Sequence, residues 1–483
     1  MKLSLNKFFW VGPLAFWILI GCLSGTRDLW AQTFDAGQGY FLSSSVNSGP
    51  EGIGIGDLDE DGNLDLVTAD NGFLSLFHGD GAGGFPSKTA LATRPSNATG
   101  TIAADDNESV LLFEGTGDGH LDLLAPNLLS QFTALTLFKS NPAVAGQFLT
   151  PATRITQGVG TTPAAVAPLH LNPGQDNFID LALITSNSPK VRTFIGDGAG
   201  KFTPGLSFTL STSPSSAGEG IDWGDMNEDG LTDIVVVDRQ RAWVLLNNGM
   251  SGLVHSGSAT SSLVAGFHLE FDVALGDFNG DQHLDAAVAN GGIFGNLTST
   301  LHSVAVFLGD GQGGLSQTPT SIDLGSEVSD VEVGDFDNDG NLDILAAVPD
   351  FLSTQGKAAV IRGNGDGTFD TQGIVELPAL GIGTVCVATA DLDKDGRLDV
   401  VLGNEGLIAG GPTDIAGNIT VYLSTLPDIG TATPTPTATA SPTPTPTRTP
   451  IESQDPDINR DGFRDAKDLI ILLEQQGNQS PNP

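Results

Sequence analysis

Between residues 32 and 428, short apolar runs alternate with acidic and glycine-rich segments, and the alternation repeats along the chain. Each repeat has an apolar segment, an acidic loop, a second apolar run rich in strand formers, and a third run that ends in a glycine turn. A variable fourth segment follows each turn. Runs of this length, bounded by turn residues, predict four short antiparallel strands per repeat.

The acidic loop is clearest at residues 334–345, GDFDNDGNLDIL. Acidic residues occupy loop positions 1, 3, 5 and 9, and a glycine occupies position 6. In a tight loop, alternate side chains turn toward one centre, the glycine accepts a positive φ, and position 7 offers its backbone carbonyl. Oxygen ligands in a flexible cage suit Ca²⁺ better than Mg²⁺. The expected calcium ligands here are Asp335, Asp337, Asp339, Asn341 and Asp343.

Four more intact copies of the loop predict further calcium sites, which gives about five in the repeat region. A single copy would be explained well enough by a solvated Asp-Gly turn, but five copies in register argue against that explanation. The candidate ligands are Asp57, Asp59, Asp61, Asn63 and Asp65; Asp225, Asn227, Asp229, Leu231 and Asp233; Asp277, Asn279, Asp281, His283 and Asp285; and Asp391, Asp393, Asp395, Arg397 and Asp399.

Two worn copies fill the gaps between the intact ones. The first, EGTGDGHLD, keeps Glu114, Asp118, Gly119 and Asp122, and the second, NPGQDNFID, keeps Asn172, Asp176 and Asp180. Successive copies start 52 to 58 residues apart, so the chain holds seven repeats of one length. Seven four-stranded repeats arranged radially predict an all-β fold, a seven-bladed β-propeller.

The two ends of the repeat region predict how the ring closes. The N-terminal segment TFDAGQGYFLS resembles the start of a fourth strand, whereas the last repeat stops after its third strand, NITVYLSTLP. We therefore expect the N-terminal strand to complete the last blade, which removes an exposed sheet edge. The segment GDGAGG at 79–84 matches a dinucleotide fingerprint only formally, because it recurs in the repeats as a hairpin turn and no helix follows it.

Residues 1–31 have the pattern of a secretory signal. Lys2 and Lys7 precede an apolar run from Phe8 to about Leu23, which is shorter than the ~20 residues of a membrane-spanning helix. The end of this run, Leu-Ile-Gly-Cys22, resembles a bacterial lipobox, in which the cysteine becomes lipidated. Ordinary cleavage near Ala31 is the alternative. Either way, we expect an exported bacterial protein, secreted or held at the cell surface without a transmembrane span.

Composition agrees with export and narrows the partners. The net charge of −38, with a pI near 4.1, argues against nucleic acid and anionic membrane surfaces as partners. Only Cys22 and Cys386 are cysteines, so no disulfide framework stabilises the mature chain. Cys386 lies in an apolar strand and is expected to be a small buried side chain.

The C-terminal part predicts a spacer and a second small unit. Residues 429–452 form a proline- and threonine-rich linker, which favours an extended, semi-rigid conformation. In residues 453–483, DINRDGFRDAKD has calcium-loop spacing and leads into an amphipathic pattern of leucines, which predicts a calcium loop and helix. The candidate ligands of a sixth calcium ion are Asp457, Asn459, Asp461, Phe463, Asp465 and Asp468.

The acidic loops and their spacing resemble the FG-GAP (VCBS-type) calcium-loop repeats of integrin α-subunit propellers and of many bacterial secreted proteins. The resemblance covers about residues 32 to 428 and implies calcium in the intact loops and a ligand or partner bound elsewhere on the ring. The C-terminal loop is similar to one half of a dockerin, the module that docks onto cohesins. Because a complete dockerin has two halves, the alternative is a lone calcium-capped helix that packs on the propeller or on another chain.

The chain shows no HExxH, GxSxG or paired Cys/His signature, and its seven histidines are scattered. A recognition or adhesion module that binds a protein or a glycan, with structural calcium, is the favoured function. The alternative is a carbohydrate-active protein, because related propellers occur in lectins and polysaccharide lyases. Trp223 and Trp243 are candidates for stacking on a sugar, although a strand tryptophan is more often part of the core.

Overall fold

A computed structural model describes the chain over residues 34–42, 49–70, 73–92, 109–127, 134–171, 176–186, 188–210, 218–238, 241–249, 252–259, 272–291, 302–349, 355–406 and 417–425. These residues form 28 β-strands and no helix, and the strands build seven four-stranded antiparallel sheets. Within this part of the chain, no helix is long and apolar enough to cross a membrane. The predicted signal, linker and C-terminal calcium unit lie outside the described residues.

Each sheet is one blade, and the strands within a blade follow chain order except in the last. β1 (Gln38–Phe41) belongs to blade 7. Blades 1 to 3 contain β2 (Gly52–Gly56), β3 (Asp65–Asp70), β4 (Phe73–His78) and β5 (Ser87–Ala92); β6 (Leu111–Phe113), β7 (Asp122–Asn127), β8 (Ala134–Phe138) and β9 (Thr153–Ile155); and β10 (Pro163–Leu169), β11 (Asp180–Thr185), β12 (Ser188–Gly196) and β13 (Phe202–Thr209).

Blades 4 to 7 complete the ring. They contain β14 (Gly218–Gly224), β15 (Asp233–Asp238), β16 (Ala242–Asn247) and β17 (Leu253–Ala259); β18 (Val273–Gly276), β19 (Asp285–Gly291), β20 (His302–Phe307) and β21 (Thr320–Asp323); β22 (Asp330–Gly334), β23 (Asp343–Val348), β24 (Lys357–Ile361) and β25 (Val375–Pro378); and β26 (Thr384–Ala390), β27 (Asp399–Asn404) and β28 (Asn418–Tyr422) with β1.

The predicted ring closure is confirmed. β1 pairs antiparallel with β28, with Gln38 opposite Val421 and Phe41 opposite Asn418, so the N-terminal strand is the outer strand of blade 7. The joint between blades 7 and 1 is also packed, because Cys386 of β26 is buried and its thiol donates to the Pro50 carbonyl at 3.5 Å. Cys386 is thus a small core side chain, as the sequence predicts.

The core is divided into seven apolar clusters, one between each pair of neighbouring blades. The second strand of a blade lies between clusters on both faces, which explains why it is a continuous apolar run rather than an alternating one. β3, β7, β11, β15, β23 and β27 are buried along their whole length, whereas the outer strand β5 is largely exposed. The fold therefore holds the ends of the second strands rigidly.

The segment 79–84 forms the turn between the third and fourth strands of blade 1. Gly81 has φ +69°, and a Cβ at this position would lie 2.2 Å from Oδ1 of Asn63 in the acidic loop. Glycine is needed here for both the backbone angle and the close approach. The segment is therefore a hairpin turn packed against the acidic loop, as the sequence predicts.

Candidate metal centres in the strand loops

Each intact acidic loop connects the first and second strands of its blade. We number the loop positions 1 to 9, so that position 9 is the first residue of the second strand. The backbone turns at two left-handed residues, positions 4 and 6; in blade 1 these are Glu60, with φ 57°, and Gly62, with φ 85°. In blade 5 the glycine is at position 4, as Gly280, and Gln282 takes the left-handed conformation at position 6. The position-4 turn was not predicted from the sequence.

The loop backbone holds the acidic side chains inward. In blade 4, Asp225 at position 1 accepts hydrogen bonds from the amides of Asp229 and Gly230, at 3.1 and 2.7 Å. Asp229 at position 5 accepts from the amide of Leu231 at position 7, at 2.9 Å. The same bonds recur at position 5 in blades 1, 5, 6 and 7. Calcium coordination by the position-7 carbonyl stays a prediction.

The structure brings the predicted ligands together within their loops. In three loops, carboxylate oxygens of three residues lie within 4.8 Å of one another. In blades 4 and 5, position 3 is an asparagine whose amide donates to the position-5 carboxylate, at 3.0 Å from Asn227 and 2.9 Å from Asn279. The three carboxylate groups are Asp57, Asp59 and Asp61; Asp335, Asp337 and Asp339; and Asp391, Asp393 and Asp399.

Position 9 has a second role that the sequence analysis missed. Both oxygens of this aspartate accept backbone N–H groups, one near the start of the loop and one at or just after the end of the third strand. All seven blades have this pair of bonds, at 2.7 to 3.1 Å, including the two blades with worn loops. We call these residues the clamp aspartates: Asp65, Asp122, Asp180, Asp233, Asp285, Asp343 and Asp399.

The clamp aspartates are almost completely buried, with at most 1% of each residue exposed. Burial is the main cause of a raised pKa at all seven, and the backbone hydrogen bonds oppose it only in part. The pKa reaches about 6 for Asp122, Asp180, Asp285 and Asp399, and about 7 for Asp233 and Asp343. A nearby cation would favour their ionised forms.

The residue before each second clamp donor differs between blades. In blade 6 it is Arg362, whose Nε lies 2.8 Å from Oδ2 of Asp337 and whose Nη2 lies 2.8 Å from Oδ2 of Asp339. The loop at residues 335–343 thus already has a guanidinium group between two of its predicted calcium ligands. The seven residues, in blade order, are His78, Lys139, Ile195, Leu246, Leu308, Arg362 and Leu423.

Neighbouring loops contact each other through positions 4 and 7. Glu60 of blade 1 pairs with His120 of blade 2, and Glu228 of blade 4 pairs with His283 of blade 5. The hydrogen bond to its glutamate is the main cause of a raised pKa in each histidine. At the ring closure, Lys394 of blade 7 donates to Oδ1 of Asn63 of blade 1 at 2.6 Å. The loops therefore line one face of the ring and connect blades.

The residues present fit a hard cation such as Ca²⁺. The oxygen ligands converge, and in blade 1 the Oδ1 atom of Asp57 is enclosed without a hydrogen-bond partner. Burial also raises the pKa of Asp57, as expected for a carboxylate that lacks a countercharge. The fit to a cation is poorest in blade 6, because Arg362 already pairs with two of the carboxylates. In blade 7, Arg397 pairs with one carboxylate, that of Asp395.

The worn loop of blade 2 keeps the shape without the full ligand set. Gly117 and Gly119 have φ 71° and 82°, so positions 4 and 6 are left-handed as in the intact loops. Glu114 replaces the aspartate at position 1 and accepts the amides of Thr116 and Asp118, both at 3.1 Å. Thr116 stands at position 3, where the intact loops have a carboxylate or an amide.

Trp243 is a core side chain and is not available to stack on a sugar. Trp243 is buried, its Nε1 donates to Oδ2 of Asp238 at 2.8 Å, and its ring belongs to the cluster between blades 3 and 4. Trp223 is partly buried against the same cluster. The core interpretation is therefore confirmed for Trp243, and stacking on a sugar is wrong for it.

Comparison with known proteins agrees with this architecture. Segments 175–236, 225–288, 291–346 and 348–402 match a model of the FG-GAP-like repeat. The described residues thus form a seven-bladed β-propeller, and four segments of the chain match the FG-GAP-like repeat. Among solved structures, the crystal structure of a protein from Lactobacillus plantarum is similar, with 13% identity and a TM-score of 0.46, over 70% of this chain and 86% of that one. A search of curated proteins found no match.

Proposed function

We propose that the intact acidic loops bind calcium and that the calcium is structural. The support is the convergence of candidate oxygen ligands at positions 1, 3, 5 and 9, and the burial of the position-9 carboxylate, which raises its pKa. Each ion would join the first strand of a blade to its second strand. Through the clamp aspartate, which also accepts an N–H after the third strand, the ion would stabilise three strands at once.

The expected size of this stabilisation is substantial. A single site at a free calcium concentration of 100 times its Kd adds about 2.7 kcal/mol to the free energy of unfolding. Blades 4, 5 and 7 are expected to bind calcium more tightly than blade 6, where the ion competes with Arg362. Several sites together would dominate the stability of the ring.

We propose further that the propeller is an extracellular recognition or adhesion module. The observation that carries this proposal is a difference between the two faces of the ring. On the calcium-loop face, the intact loops all have the same nine positions. At the opposite ends of the strands, the connections from the second to the third strand range from residues 71–72 in blade 1 to residues 405–417 in blade 7.

Connections of variable length and sequence on a rigid scaffold are where binding surfaces are most often found. A protein or glycan ligand is therefore expected at the face opposite the calcium loops. The net charge of −38 disfavours nucleic acid there. Export through the N-terminal signal, and docking of a cohesin-like partner by residues 453–483, belong to the same proposal and rest on the sequence patterns alone.

The test is a binding screen of the full chain on glycan and protein panels with calcium present, followed for both retention and product release. We expect retention without turnover. A variant with residues 407–416 replaced by a short glycine-serine turn should lose retention, whereas Asp229→Asn on the calcium face of blade 4 should keep it at calcium concentrations that preserve the fold. Released oligosaccharides would contradict the proposal and assign a carbohydrate-active enzyme instead.

Two smaller measurements test the ends of the chain. Intact-mass analysis of the mature N-terminus distinguishes lipidation at Cys22 from cleavage near Ala31, and an uncleaved leader would contradict export. A pull-down with the full chain, compared with a chain that ends at residue 452, tests docking by the C-terminal unit. Recovery of the same partners by both chains would contradict a docking role for that unit.

A further inference from the structure

Blade 1 differs from the other blades because its third strand brings an imidazole to the acidic loop. His78 is the only histidine among the seven residues that precede the second clamp donors, all of which are described. Its Nδ1 lies 3.5 Å from Oδ2 of Asp59 and 3.8 Å from Oδ1 of Asp65. The three ligand atoms lie within 4.8 Å of one another.

These distances are too long for hydrogen bonds between an imidazole and a carboxylate. Nδ1 of His78 is nevertheless enclosed by protein and makes no hydrogen bond, and neither does Oδ1 of Asp57 in the same loop. Blade 6 shows the contrast, because Arg362 approaches its two carboxylates to 2.8 Å and pairs with them directly. In blade 1 the nitrogen and the carboxylates face each other with a gap between them.

The gap has the size expected for a metal ion. Ligands at ~2.0–2.2 Å from a tetrahedral metal lie roughly 3.3–3.6 Å from one another, which is close to the two distances seen here. Imidazole nitrogen is a good ligand for first-row transition metals, whereas Ca²⁺ takes oxygen ligands almost exclusively. A mixed nitrogen and oxygen set therefore shifts the preference of this loop away from calcium.

We propose that His78 makes the blade 1 loop a transition-metal site, in which its Nδ1 joins the carboxylates of Asp59 and Asp65 to bind an ion such as Zn²⁺ in preference to Ca²⁺. The proposal rests on the proposed function in one respect, namely that the acidic loops bind cations. It assigns the ring two kinds of metal site: one mixed site at blade 1, next to the closure with blade 7, and oxygen-only sites in the other intact loops.

The test uses the full chain, stripped with EDTA and then saturated with Ca²⁺. Zn²⁺ is titrated by calorimetry, and Co²⁺ is titrated separately because its visible absorption reports nitrogen coordination. We expect one tight equivalent of zinc in the presence of excess calcium. His78→Leu, which introduces the residue found in blades 4, 5 and 7, should weaken this zinc binding by about tenfold or more while leaving the calcium equivalents of the other blades unchanged.

Blade 7 offers a matched gain-of-function variant. Its positions 3 and 9, Asp393 and Asp399, already lie with Asp391 within 4.8 Å, but the residue after its third strand is Leu423. Leu423→His should therefore create a second zinc equivalent and a second cobalt absorption. Thermal melting of both variants in calcium checks that the ring is intact.

The outcomes separate this proposal from the calcium proposal. Zinc binding of equal affinity in the wild type and in His78→Leu would overturn the assignment of His78, because the ion would then lie elsewhere on the chain. Calcium binding without any zinc equivalent would also overturn it, while leaving the calcium loops standing. A chain that binds neither ion would contradict both.

Discussion

Blades 2 and 4 are built on the same plan but differ in the oxygen groups that their loops offer to a cation. Both loops have left-handed residues at positions 4 and 6, and both end in a buried aspartate that accepts two backbone amides. Blade 4 adds Asp225, Asn227 and Asp229 as oxygen ligands, whereas blade 2 has Glu114 and Thr116 at positions 1 and 3. The clamp aspartate is therefore common to both blades, and the proposed cation site is an addition to it.

This difference assigns separate tasks to residues that look alike in sequence. Position 9 holds the loop, the second strand and the end of the third strand together in every blade. Positions 1, 3 and 5 bring carboxylates close together, and without a cation their mutual repulsion lowers the stability of the folded loop. The following predictions test this division, beginning with the largest expected effect.

The largest effect is collective and comes from the clamp aspartates. Burial raises the pKa of six of them from 3.8 to about 6 or 7 and also raises the pKa of Asp65, so the folded state binds more protons than the unfolded state in this range. The free energy of unfolding in EDTA should therefore fall as the pH rises from about 4 to about 7. Urea unfolding across this range measures the effect.

Calcium should flatten this pH dependence, because a bound cation favours the ionised carboxylates of the intact loops. The loops of blades 2 and 3 lack a full ligand set, so calcium should not change the pKa of their clamp aspartates. These two residues should leave a weaker dependence of stability on pH. Stability that rises with pH over this window in EDTA would contradict the role assigned to burial.

Removal of one clamp aspartate should be the most damaging single change. Asp122→Ala leaves two buried amides without an acceptor, at about 1–3 kcal/mol each, in a blade that has no complete ligand set. The loss should be the same in calcium and in EDTA, as measured by urea unfolding. Asp118→Ala, in the exposed part of the same loop, is the control and should change stability little. A loss seen only with calcium would show that position 9 acts mainly as a ligand.

Removal of a ligand from an intact loop should have a smaller effect that depends on calcium. Asp229→Ala should abolish one calcium equivalent in calorimetry and should lower stability by about 2.7 kcal/mol at 100 times Kd. In EDTA its stability should be close to that of the wild type. The matched control is again Asp118→Ala, at position 5 of the worn loop, which should leave the calcium stoichiometry unchanged. If both variants lost one calcium equivalent, the result would contradict the claim that only the intact loops bind calcium.

The smallest predicted effect concerns Arg362 of blade 6. Arg362→Leu removes the cation that pairs with Asp337 and Asp339, and a partly exposed pair of this kind is worth about 1 kcal/mol. Calcium should therefore bind this loop roughly fivefold more tightly. Leu308→Arg, the reciprocal change in blade 5, should weaken one site by a similar factor. Unchanged affinities in both variants would mean that the guanidinium does not compete with the ion.

The acidic spacing was enough to predict the blades and the loop positions, because both depend on residues close together in sequence. The closure by β1 was predicted from the likeness of the N-terminal segment to a fourth strand, although β1 and β28 are far apart in the chain. The side chains that the third strands bring beside the loops were not predictable in this way. His78 and Arg362 reach their loops only because the third strand pairs with the second, which brings them beside carboxylates 13 to 25 positions earlier in the chain. Position 4 was missed because Glu60 and Lys394 give no signal of a left-handed backbone.

One sequence signal for the clamp was present. Asp122 and Asp180 persist in the two worn repeats, where most other ligands are lost. A residue that survives when its neighbours lose their function has another task, and here that task is to accept two buried amides. The same comparison, between intact and degenerate copies within one chain, can be made in other repeat proteins to separate structural residues from ligand residues.

Thermal melting of the full chain in saturating calcium and in excess EDTA, with the bound calcium counted by calorimetry, tests the central claim most directly. The structural-calcium account predicts several calcium equivalents and a melting temperature that falls sharply in EDTA. An unchanged melting temperature would contradict it, because loops that hold calcium structurally cannot lose the ion without loss of stability.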